Sequence, residues 1–169
     1  MTKLYSFLVL ALFLLLNTGC AKITPKLTHD GVDYRIYYDF EADDAYNIRF
    51  MNRDLISYRK VGVEEALKLN LKIASIETQK KGYKYFILTN NGINNLQGFP
   101  INSYGELMRY ITLKKRKKSF ATSGGNQGRG KWRLIDHGRV HIGFKPVGDE
   151  YKNSFISVWD AKQTLLDTK

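Results

Sequence analysis

The chain has 169 residues and carries 27 Lys and Arg against 16 Asp and Glu, a net charge of +11. A single cysteine excludes an internal disulfide framework. Nine Phe, eleven Tyr and two Trp supply apolar burial for one folded domain and exclude a disordered polyelectrolyte.

Lys3 opens the chain, and Leu4 to Leu16 is an apolar run broken only by Ser6. A membrane-spanning helix needs about 20 apolar residues. This run is shorter and has the length of the apolar region of a secretory signal. Asn17, Thr18 and Gly19 follow, and then the one cysteine, Cys20. The Gly19-Cys20 step resembles the lipobox of bacterial lipoproteins, with Asn17 at a place where Leu is usual. The resemblance implies cleavage before Cys20, a diacylglycerol thioether on its sulfur and an acylated new N-terminus. Two or three acyl chains anchor stably, since each buried CH2 contributes about 0.8 kcal/mol. Ala21 stands where an Asp would resemble an inner-membrane retention signal, so the expected address is the outer membrane, facing the periplasm. Residues 1–19 are thus expected to be a signal peptide. Removing them takes away Lys3 and no acidic residue, leaving a net charge of +10 from +11.

Residues 20–31 contain Pro25 and no hydrophobic period, and read as a tether to a single domain over 32–169. Tyr34 to Phe40 alternates as a strand does, and Glu41-Ala42-Asp43-Asp44 is turn chemistry. Tyr46, Ile48 and Phe50 then alternate with Asn47 and Arg49, which predicts an antiparallel pair. From about 63 to 81 the period changes. Ala66, Leu67, Leu69, Ile73, Ala74 and Ile76 form a helical stripe, with Glu64 and Glu65 in the first turn, Lys80 and Lys81 in the last and Gly82 as the stop. Tyr83 to Leu88 is aromatic and branched on both faces, the pattern of a strand inside a sheet. Ser103 and Glu106 have capping-box spacing and predict a short helix to about Ile111.

A basic Gly-rich loop is expected next, at about 113–131. Lys131 to Phe144 reads as a hairpin turning at His137-Gly138, with Ile135 opposite Val140, Asp136 opposite Arg139 and Arg133 opposite Ile142. Ser154 to Trp159 is a strand, and Asp160 caps a short C-terminal helix. The sum is an α+β fold: a mostly antiparallel sheet with one main amphipathic helix on a face.

Few constellations carry chemistry. His137 and His141 are four apart, but the hairpin puts them on opposite faces, so no metal site is assigned. SGGNQGRG, residues 123–130, lacks the Gly-Lys-Ser/Thr ending of a phosphate loop. No catalytic set and no cofactor motif is legible. The remaining candidates are cationic: Lys114, Lys115, Arg116, Lys117, Lys118, Arg129, Lys131 and Arg133, with Trp132 among the last of them. Cations beside an indole suit lipid phosphates or another polyanion, and the exported address argues against nucleic acid.

Tyr46-Asn-Ile-Arg-Phe50-Met-Asn52, Ala74-Ser-Ile-Glu77 and Lys81-Gly82-Tyr83-Lys84-Tyr85-Phe86 together resemble a family of uncharacterised bacterial envelope lipoproteins. Its pattern is a Tyr-x-Val-x-Phe-x-Gly strand, an Ala-Ala-Glu-ended helix and a Gly-Tyr-x-Tyr-Phe strand. Asn52 stands here for the Gly and Ser75 for the second Ala, and Asp160-Ala161 also fits. The resemblance implies an envelope lipoprotein and carries no catalytic residues. The expectation is a noncatalytic binding or structural module, anchored to the membrane through Cys20. It would contact anionic lipid, lipopolysaccharide, peptidoglycan or a partner protein. The alternatives are an envelope-polymer hydrolase and an extracellular polyanion or nucleic-acid binder.

Overall fold

The computed structural model describes residues 24–39, 45–89, 101–116, 134–136, 138–152 and 157–169. Among the described residues, eight strands, three α-helices and two 3-10 turns follow one another. The strands are β1 (Leu27–His29), β2 (Val32–Asp39), β3 (Ala45–Phe50), β4 (Tyr85–Leu88), β5 (Ile135–Asp136), β6 (Arg139–Val140), β7 (Gly143–Val147) and β8 (Val158–Asp160). The helices are α1 (Gly62–Lys80), α2 (Tyr104–Arg116) and α3 (Ala161–Asp167). Six strands form one sheet in the order β1-β2-β3-β7-β4-β8, and β5 and β6 form a separate hairpin. Every pairing is antiparallel. The expected α+β fold, with the main helix against the sheet and a short helix at the C-terminus, is the fold observed.

One difference begins at the N-terminus. The stretch read as tether contributes β1, which pairs with β2 through Leu27–Tyr34 and His29–Val32. The turn between them is Asp30-Gly31, and both residues have positive φ, 48° and 75°. Asp-Gly is the preferred pair for such a two-residue hairpin turn, because its backbone twist matches that of the strands. Leu27 packs against the core, so the strand is held by burial as well as by its ladder.

Opposed residues of an antiparallel pair share a face, and faces alternate along a strand. Tyr34, Ile36 and Tyr38 therefore lie with Phe50, Ile48 and Tyr46. That face meets α1, since the Tyr34 hydroxyl donates to the Glu77 carboxylate at 2.8 Å. Rings cross this face one per strand. Tyr38 meets Tyr46 at 5.6 Å, Tyr46 meets Phe144 at 5.7 Å, Phe144 meets Phe86 at 6.4 Å, and Phe86 stacks on Trp159 at 6.0 Å. The row starts at half-exposed Tyr38 and ends at fully buried Trp159.

α1 is buried more broadly than one stripe. Leu69 and Ile76 are only half-buried, while Leu71, Asn70, Ser75 and Thr78 are buried. The sheet takes one side of the helix and α3 packs against another. Two of its buried polar side chains donate to backbone carbonyls, while the Thr78 hydroxyl has no hydrogen-bond partner. Ser75 donates to the Leu71 carbonyl at 2.8 Å, and Asn70 donates to the carbonyls of Ala66 and Val140 at 2.8 and 3.2 Å. α2 also runs further than expected, to Arg116 rather than about Ile111. Lys, Arg, Leu and Met are good helix formers, and cations suit a helix C-terminus. Its predicted capping box is altered: Glu106 N–H donates to Ser103 Oγ at 3.3 Å, but the Glu106 carboxylate reaches back to the Asn102 N–H at 2.8 Å.

The hairpin register holds where it is described, with Ile135 opposite Val140 and Asp136 opposite Arg139. Arg133 lies outside the described residues. The chain then leaves that hairpin and enters the main sheet as β7, between β3 and β4. A central strand containing Pro146 is unusual, because proline cannot donate to a ladder. The geometry resolves this: β3 pairs with β7 only at Tyr46–Phe144 and Asn47–Gly143, so Pro146 lies beyond that ladder and pairs only with Phe86. At the other end of β7, a Cβ added to Gly143 would collide with the Thr89 side chain and lie 2.9 Å from Asn47 Oδ1. Gly143→Ala is expected to cost at least about 1 kcal/mol by overpacking. Urea unfolding of the two proteins side by side measures it, and equal midpoints would contradict the expectation.

Candidate functional site

The C-terminus of α1 ends in a Schellman turn. Gly82, at φ 82°, donates its N–H to the Gln79 carbonyl at 2.9 Å, and the Tyr83 N–H donates to the Thr78 carbonyl at 3.2 Å. Gly is suited to this place because a Cβ disfavours positive φ. The turn carries Lys81 and Tyr83 to the wall of a cleft of about 280 Å³. β3 supplies Tyr46, β7 supplies Lys145, and the 3-10 turn Asp149–Tyr151 supplies Glu150 and Tyr151.

Three tyrosines and two lysines thus surround one opening, with Glu150 as the acidic residue among its lining. Lys81 Nζ stands 4.1 Å from the centre of the Tyr46 ring. A cation over an exposed ring face contributes about 0.5–1 kcal/mol, so the contact orients Lys81 without neutralising it. Glu150 is engaged inside its own turn, where Oε1 accepts the Gly148 N–H at 3.2 Å. Tyr83 is 45% exposed. The lining therefore offers flat apolar ring faces, phenolic hydroxyls and two ammonium groups. That combination suits a small ring-shaped ligand carrying a carboxylate or phosphate. Its size, slightly under the roughly 300 Å³ at which drug-sized pockets begin, fits one sugar residue rather than a long polymer segment.

None of the cationic candidates of the sequence is among the described residues that line the cleft. Lys114, Lys115 and Arg116 are the last residues of α2. Lys117, Lys118, Arg129, Lys131 and Arg133 lie outside the described residues, as does Cys20. His137 lies outside them too, and His141 is half-buried just after β6. Among the described residues no group of three or more His, Cys, Asp or Glu side chains is placed to hold a metal ion. The cleft was not legible beforehand, because its residues come from three distant segments and none forms a local motif. The one available signal was the Lys81-Gly82-Tyr83 step, where a helix stop is flanked by a cation and an aromatic ring. No protein-family model, curated protein or solved structure matches this chain.

Proposed function

We propose that the protein is a cell-envelope lipoprotein, anchored through an acylated Cys20 in the outer membrane and facing the periplasm, and that it is a noncatalytic binding module for anionic envelope saccharide. The observation that carries the ligand class is the cleft, which Tyr46, Tyr83, Tyr151, Lys81 and Lys145 line together. Tyrosine rings pack on the C–H faces of a sugar at low entropic cost. The lysines supply charge complementarity to peptidoglycan carboxylates or lipopolysaccharide phosphates. The address rests on the signal-like N-terminus ending at Gly19-Cys20.

The test is cosedimentation of the full chain with isolated peptidoglycan and with lipopolysaccharide. Tyr83→Ala and Lys81→Ala are each expected to weaken binding to one of these polymers by about five- to tenfold, the loss of one exposed aromatic or cationic contact. Added salt is expected to erase the Lys81 effect and leave most of the Tyr83 effect, because screening acts on exposed charges. Binding indifferent to both substitutions would remove the cleft from the proposal. Turnover of either polymer would replace a binding role with a hydrolytic one.

A further inference from the structure

The sheet face turned away from α1 carries a second cationic feature. Arg35 on β2 and Arg49 on β3 are directly opposed across the ladder. Like charges in that position are destabilising. Among the described residues neither arginine forms an ion pair with a carboxylate. The Nε of Arg35 is buried and has no hydrogen-bond partner. Tyr37 shares the face, and the Arg49 guanidinium lies 5.9 Å from its ring centre. The nearest carboxylate along the strand, Asp33, is already engaged by Thr28 Oγ1 at 2.6 Å and Lys26 Nζ at 3.0 Å. Thr24, followed by Arg35 and Arg49, lowers the Tyr37 pKa below its ordinary 10.0 against a contribution from burial.

Thr24 also marks where the chain comes from. Cys20 lies four residues before it, and four residues span at most about 14 Å even when fully extended. An acyl anchor on Cys20 would hold this end of the sheet within that distance of the bilayer surface. We infer that Arg35 and Arg49, with Tyr37 beside them on β2, form a site for the phosphate group of an anionic phospholipid headgroup, so that the β1–β2–β3 end of this face rests on the membrane. The inference depends on the lipoprotein reading above for its geometry and uses residues outside the cleft. A lipid phosphate would offset the Arg35–Arg49 repulsion and leave the aromatic ring at headgroup depth. This contact would also turn α1 away from the bilayer.

The test is the rate of arginine modification by phenylglyoxal, read residue by residue by mass spectrometry. The full chain is expressed in a bacterium and reconstituted in vesicles of phosphatidylcholine alone or with phosphatidylglycerol. In phosphatidylglycerol, Arg35 and Arg49 are expected to react roughly fivefold more slowly, from about 1 kcal/mol per cation near an anionic surface. Exposed Arg59 serves as the internal comparison and should not change to that extent. Equal rates at Arg35 and Arg49 in the two vesicles would overturn the inference. Protection given in phosphatidylcholine by inorganic phosphate alone, with none from phosphatidylglycerol, would also overturn it, by making the site one for a free anion. The mass of the N-terminal peptide reports acylation of Cys20 separately. If Cys20 is unmodified, the anchor reading fails, and the same vesicles mixed with the unanchored chain still decide whether the arginines take a lipid phosphate.

Discussion

Trp159→Ala is expected to destabilise the protein by about 3–5 kcal/mol, the usual cost of truncating a large buried aromatic side chain. Trp159 is fully buried in a strand of three residues that, among the described residues, pairs only with β4. So short an edge strand gains little from its ladder, and the indole stacked on Phe86 at 6.0 Å is its principal anchor. The residue next in the chain but one begins α3, whose first N–H donates to the Lys84 carbonyl at 2.9 Å. Asp160 caps that helix by accepting the Gln163 N–H at 2.8 Å. Losing the indole therefore loosens the strand and the seat of a helix packed on α1. Domains of this size are stable by roughly 5–15 kcal/mol, so the variant should lose a large part of its margin. Urea unfolding followed by circular dichroism is the measurement, because Trp159 is one of only two tryptophans. A cost below about 1 kcal/mol would show that β8 is held by something other than its ring. Trp159→Phe is expected to cost less, since the indole Nε1 has no hydrogen-bond partner to lose.

The second large effect concerns Tyr34. It is fully buried, and its hydroxyl donates to a Glu77 carboxylate that is itself 8% exposed and bridged to Lys80 at 2.8 Å. Tyr34→Phe is expected to cost about 1.5–3 kcal/mol, the range for a hydrogen bond to a charged group. Burial first, and then the Glu77 carboxylate, raise the Tyr34 pKa above its ordinary 10.0. Burial and the carboxylate of Glu64 raise that of Tyr104 likewise. The neutral phenol is the folded form, so these groups contribute fully below pH 10.0. Their contribution declines as pH rises above that value, where the unfolded chain loses the proton and the folded chain keeps it. Stability measured from pH 9 to 11 should therefore fall, and Tyr34→Phe should flatten the fall. An unchanged slope in the variant would show that Tyr34 is not a principal titrating group of the unfolding transition.

Much of the architecture was legible because hydrophobic period dominates local structure. The α1 boundaries, the β2–β3 pair and the Ile135–Val140 register each follow from spacing alone. The errors have physical causes. β1 was hidden because three residues are too few for an alternation, although Asp30-Gly31 announced the turn. The burial of Asn70, Ser75 and Thr78 could not be foreseen from one stripe, because α1 is covered by α3 as well as by the sheet. β7 was obscured by Pro146, whose place is acceptable only because β3 stops pairing before it. The basic run looked like a loop from its charge, yet its first three members continue α2. The cleft needed the fold itself, since Tyr46, Lys81 and Tyr151 meet only after the sheet has closed.

The order of the strands also sets an order of events. β7, which lies between β3 and β4, is made after both of them. A chain emerging from its N-terminus presents β3 and β4 as two separate edges until Gly143–Val147 arrives to join them. Pairings across such distances are slow to form, because the intervening loop must be closed first. The sheet cannot be completed by a partly delivered chain, and such a chain stays open enough to be threaded. For any chain delivered N-terminus first, the position of this one strand works as a timer.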